Sequence, residues 1–136
     1  MRIMLRLLIL GMVLIHGNNG LMAVTKATPI QCRVRGEKLL APMTGAAICE
    51  RFVIAFGRAS GGKAIAQDAP PRDGLIVMLD FKPSGMAAAE IITVARGRRH
   101  APAVFGLAIS DRAFAAADID QLAKDTVQGL HHTRRR

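Results

Sequence analysis

The sequence predicts an α+β fold. The expected form is a single small domain in the order β-α-β-β-β-α, with an antiparallel-rich sheet and two helices on one face. Three observations predict it. Residues 30–35 alternate strictly between apolar and polar, the pattern of a half-buried strand. Residues 118–130 carry apolar side chains at helical spacing behind a capping signal. Between these ends lie short β-rich runs separated by compact Gly/Pro turns. One face of such a sheet can stay in water, as antiparallel pairing permits.

Ahead of the domain stands a segment with the pattern of a secretory signal peptide. Arg2 and Arg6 flank the start of the apolar run Leu7 to Ile15, a polar break follows at residues 16–20, and a small-residue stretch ends near Ala27. The run is shorter than the roughly 20 apolar residues that cross a bilayer, so cleavage is favoured over anchoring. The expected organisation is a signal peptide over 1–27, one domain over 28–130 and a basic tail over 131–136. The mature chain then has no transmembrane segment and is periplasmic or secreted. Loss of Arg2, Arg6 and Lys26 while all ten acids stay lowers the net charge from +9 to +6. A start at Met22 would instead leave a cytosolic protein with reduced thiols. There is no Trp and no Tyr, so the core is built from aliphatic residues and five Phe.

In the first strand Ile30, Cys32 and Val34 share the inward face, and Gln31, Arg33 and Arg35 the outward one. A helix follows with Pro42 near its first turn, where a missing N–H costs nothing. Gly45, Cys49, Phe52, Val53 and Phe56 form its apolar stripe, and Gly57 is expected to end it. Residues 57–74 are rich in Gly, Pro and polar side chains and read as a long loop, with a short extra strand over 63–67. Leu75 to Phe81 is a strand, Pro83-Ser84-Gly85 a turn, and Met86 to Arg96 the returning strand of a hairpin. Ala103 to Ile109 is a further strand. Asp118 is placed as the N-cap of the last helix, with Gln121 reaching back in a capping box. Ile119, Leu122, Ala123, Thr126, Val127 and Leu130 form its buried side, and the cationic end from His131 frays.

Cys32 and Cys49 both fall on inward faces, which makes a strand-to-helix disulfide geometrically plausible. In an exported chain, closing a loop of this length stabilises by about 3 kcal/mol in the chain-entropy model. The spacing is not C-x-x-C, so thiol oxidoreductase chemistry has no support, and without a nearby His pair the cysteines make a poor zinc site. No metal or cofactor is expected.

Basic side chains supply a candidate anion-binding set. Were the first and returning strands neighbours, Arg33 and Arg35 would join Arg96, Arg98 and Arg99 on the outer face, facing phosphates, anionic lipids or acidic proteins. Nucleic acid is a poor fit: the Phe residues lie in apolar surroundings instead of forming a stacking platform, and no recognition helix is visible. Ser60-Gly61-Gly62-Lys63 lacks the frame of a phosphate loop, and Ser84-Gly85 that of a nucleophile elbow.

No catalytic set can be assembled from the sequence. His100 and Asp111 are the nearest to one, and an envelope hydrolase using them needs the two side chains to converge; Asp111 is also placed to cap a helical segment. The leading expectation is a non-enzymatic envelope domain that binds an anionic surface or another envelope protein. An assembly factor pairing through a sheet edge is the alternative that an uncovered apolar edge strand would favour.

Overall fold

The structure is a computed structural model that describes residues 27–134. Residues 1–26, nearly all of the expected signal peptide, and residues 135–136 of the expected basic tail lie outside the described residues. The elements are β1 (Thr28–Arg35), α1 (Gly45–Ser60), β2 (Ala64–Ala66), β3 (Gly74–Phe81), β4 (Met86–Ala95), β5 (Arg98–Arg99), β6 (Ala103–Ala108) and α2 (Ala116–Arg134). A short 3-10 turn over Glu37–Leu40 precedes α1.

The α+β class holds, and the sheet is mixed. β1 lies between β2 and β3 and runs parallel to both. β4 runs antiparallel to β3, β5 and β6. The parallel half follows from the connections: α1 returns the chain over the inner face so that β2 starts level with Thr28, and residues 67–73 return it again to start β3 level with Pro29. Antiparallel pairing is confined to the half built from the Pro83-Ser84-Gly85 hairpin onward. β5 and β6 occupy the same side of β4. His100 N–H donates to the Thr93 carbonyl, yet Ile91 faces Ala103, so one extra residue is absorbed at Ala101-Pro102 as a bulge. Pro102 has no N–H to lend the ladder and suits that place.

The inner face of the sheet carries Ile30, Val77, Leu79 and Ile91, all fully buried. They pack with Ile48, Phe52 and Val53 of α1 and with Ile119, Leu122 and Ala123 of α2. Each large side chain removed from water there contributes about 1.5–3 kcal/mol before the entropy of ordering it. β3 alternates along its length, Leu75, Val77, Leu79 and Phe81 inward and Ile76, Met78 and Asp80 outward.

Local details differ from the sequence expectation at both helices. Pro42 lies ahead of α1; the helix opens at Gly45, with the Thr44 hydroxyl accepting from the Ala47 N–H at 3.1 Å. Gly57 is buried inside α1 and does not end it. A Cβ there would come within 3.0 Å of the Ala64 nitrogen, so its small size lets β2 approach. The left-handed cap is Gly61, φ 75°. α2 starts at Ala116, two residues before the expected N-cap, and continues through Arg134, so residues 131–134 are helical instead of frayed. Gln121 bonds forward to Asp125 instead of backward.

Gln31 also differs. Its side chain points to the outer face as expected, but the 67–73 loop covers it. Its amide donates to the Asp68 carbonyl at 2.7 Å, and it is buried together with Pro71.

Candidate functional site

Cys32 of β1 and Cys49 of α1 are joined in a disulfide with Cα atoms 5.7 Å apart. The bridge borders an open groove of about 540 Å³ whose lining includes Arg33, Gly45, Glu50 and Asp68. It ties the start of α1 to β1 beyond the point where β2 stops pairing.

The five candidate anion-binding arginines are not gathered. β1 and β4 are separated by β3, so the neighbour relation that would unite them does not exist. Arg35 is level with Asp80 and Ala88, while Arg98 is level with Ala95. The strand between Ala88 and Ala95 spans roughly 23 Å at the usual rise per residue. Arg33 and Arg35 thus stand at one end of the outer face, with Asp80 and Glu90 in the same rows. Arg96, Arg98 and Arg99 form a second group around the β4–β5 turn. Arg96 has φ 53°, and its N–H donates to the Asp73 carboxylate at 2.8 Å, pinning that turn to the 67–73 loop.

His100 and Asp111 are not brought together either. They precede and follow β6, so its whole length, roughly 20 Å at the strand rise, lies between them. Both are exposed, and Asp111 caps neither helix. A shared reaction centre needs groups within hydrogen-bond reach.

The structure brings forward groups the sequence reading passed over. Arg112 grips Asp118 with two hydrogen bonds, at 2.7 and 2.6 Å. The same carboxylate accepts from the Ala115 N–H at 2.7 Å, so Asp118 acts from the third position of α2 back onto the residue preceding it. Arg112's hydrogen bonds hold the Asp118 carboxyl below the usual carboxylate range, assisted by the Ala115 N–H and partly opposed by burial. On the outer side of the helix pair, Arg51 bonds Asp120 in a bidentate pair at 2.9 and 2.8 Å. It does so above a groove of about 550 Å³ that Arg58, Lys124 and half-exposed Ile54 also line.

The second group is β6. It pairs with β4 on one flank, and its other flank has no strand neighbour among the described residues. The Ile109 N–H donates to the Gly85 carbonyl at 2.8 Å. By strand alternation, the odd-numbered residues of β6 therefore turn their N–H and C=O toward β4, and Val104, Gly106 and Ala108 turn theirs outward. Val104 is 63% exposed, and Met86, opposite Ala108, is 49% exposed. Phe105 and Leu107 point the other way and pack at the margin of the core, Phe105 against the backbone of α2 at Gly129. Residues 101–110 contain no charged side chain. Natural edge strands are commonly blunted by charge or by a covering element, and among the described residues this one has neither on its outward flank. That uncharged run is the signal in the sequence; that its strand ends the sheet was not.

Among the described residues no helix is long and apolar enough to cross a membrane. No family model and no curated protein matches the chain. A solved structure of an uncharacterized protein is similar, with a TM-score of 0.45 and 14% identity, covering 80% of this chain and 89% of that one.

Proposed function

We propose that this chain is a small exported domain of the cell envelope that works by binding, and that it binds through its free sheet edge as an accessory or assembly factor. The observation that carries the reading is β6: among the described residues it is a strand with one unpaired flank, with no charged side chain and with Val104 exposed. An added strand gains main-chain hydrogen bonds along Val104, Gly106 and Ala108, and alternate side chains supply selectivity. The export half is supported by the basic-then-apolar amino terminus together with the Cys32–Cys49 bridge, since disulfides persist in oxidising compartments.

The test is a photo-crosslinking residue placed at Val104 in the native host, with Ile65 on the opposite edge strand as control. Ile65 is 57% exposed, so exposure alone would label both. Adducts from position 104 and not from 65 are expected, and equal or absent labelling at both ends the reading. Intact mass of the recovered chain tests export: loss of the leader and of two hydrogens is expected.

A second reading, binding of an anionic ligand, is favoured by the groove where Arg58 and Lys124 stand beside the Arg51–Asp120 pair. It requires retention on a phosphorylated matrix at low salt that is lost in the Arg58→Ala/Lys124→Ala variant.

A further inference from the structure

The fold brings basic residues that are distant in sequence to one end of the molecule. α1 and α2 run side by side in the same direction. Arg51 bonds Asp120 in their first halves, and Ser60 shares a slot with His131 and Arg134 at their ends. The same end holds the start of β1, where Thr28 is level with Ala64. It also holds the start of β3 and the β4–β5 turn, since Val94 is level with both Gly74 and Arg99. Lys63, Arg72 and the group Arg96, Arg98 and Arg99 therefore join Arg58 and Arg134 there, all of them exposed. One carboxylate, Asp73, stands among these seven cations, and it already accepts the Arg96 N–H. The rest of the described chain carries seven cations and nine carboxylates, so the positive excess resides wholly at this end. Among the described residues the side-chain ion pairs, Arg51–Asp120 and Arg112–Asp118, lie elsewhere. Helix dipoles account for Arg58 and Arg134, which stand in last turns, but not for the cations on loops.

We infer that this end docks on the surface of an anionic phospholipid bilayer. The surface shares no residue with the β6 edge, and only Arg58 with the groove between the helices. Each Lys or Arg held near such a bilayer strengthens binding about fivefold. A cationic excess confined to one end also orients the molecule, that end toward the lipid. Two further observations select lipid over other polyanions. Between the helix ends and the sheet opens a slot of about 120 Å³, floored by Phe56, Leu75, Val127 and Leu130 and rimmed by His131 and Arg134. An apolar slot beside cations suits an amphiphile, whereas nucleic acid or a phosphorylated protein brings it no acyl chain. The second is continuity of the chain. The segment that carries the apolar run Leu7 to Ile15 joins the domain at Thr28, at this same end. While attached, that segment delivers the cationic end to a membrane; once it is removed, the cations remain to hold the domain there.

The experiment is co-sedimentation of the full chain with vesicles of phosphatidylcholine, alone or mixed equally with phosphatidylglycerol, at physiological ionic strength. Lys63→Gln/Arg72→Gln/Arg98→Gln strips the cationic end. Arg35→Gln/Lys38→Gln/Lys82→Gln removes equal charge from the opposite end, where β1 and β3 finish. Wild type and both variants carry the same leader, so differences between them belong to the folded domain, and circular dichroism checks that each folds. Wild type is expected to bind the mixed vesicles more tightly than the neutral ones. The first variant is expected to lose about 100-fold in affinity for the mixed vesicles. The second should stay within about threefold, because the length of β1, roughly 25 Å, exceeds the screening length of about 8 Å. Equal losses in the two folded variants overturn the inference, since binding would then follow net charge alone. So does a wild type without preference for the mixed vesicles, whether or not it binds duplex DNA. Release from the vesicles by millimolar inorganic phosphate at fixed ionic strength marks a free-phosphate site and also overturns it. Crosslinking from position 104 is untouched by either variant, so the edge reading stands or falls by itself.

Discussion

Asp118 carries its charge where little water reaches it, and three hydrogen bonds hold it there. Because the folded-state pKa is lowered, this group adds stability above its unfolded value near 3.9. That contribution is lost as pH falls through the lower, folded value. Asp118→Asn is expected to cost about 2 kcal/mol at neutral pH and to flatten the acid limb of urea-measured stability below about pH 4. An unchanged acid limb would mean the ion pair contributes nothing. The sequence marked Asp118 as a helix starter but misplaced it, because its role depends on Arg112, which a bend in the chain brings alongside. Gly129 makes the same point by sterics. Alanine there gains about 1 kcal/mol in helix propensity, but its Cβ would overlap the Phe105 ring. Overpacking of that kind costs about 1–3 kcal/mol, so Gly129→Ala is expected to destabilise. Pairing it with Phe105→Leu should cost less than the two singles summed, and simple additivity in denaturant titrations would refute the contact.

Among the elements, α1 is held at its start by two devices of unequal size. The Thr44 cap contributes about 1 kcal/mol; the Cys32–Cys49 bridge, closing a separation of 17 residues, contributes about 3 kcal/mol in the loop-entropy model. Cys32→Ser/Cys49→Ser should therefore lower the unfolding free energy about three times as much as Thr44→Ala, measured in urea under oxidising conditions. Equal losses would show that the bridge is strained or that the unfolded chain is already compact. The bridge was legible because parity on β1 and periodicity on α1 each fix a direction locally. The end of α1 was not. Gly57 resembles a stop signal by composition, yet its smallness serves the approach of β2, a contact between segments that the pattern does not encode.

For the whole molecule, strand order separates the arginines. Arg33 and Arg35 face outward as the parity of β1 requires, whereas Arg98 and Arg99 are successive residues of β5 and face opposite ways; the strand order also puts β3 between β1 and β4, so the two groups stand at opposite ends of the sheet.

Local periodicity by itself determined the strands, the two helices, the α+β class and the inward direction of both cysteines, since each depends on residues a few positions apart. Strand order, the parallel half of the sheet, the cover over Gln31, the Arg112–Asp118 clamp and the open flank of β6 were decided only in three dimensions. They depend on which segments meet, and side-chain alternation is the same whether a strand ends as a neighbour or as an edge.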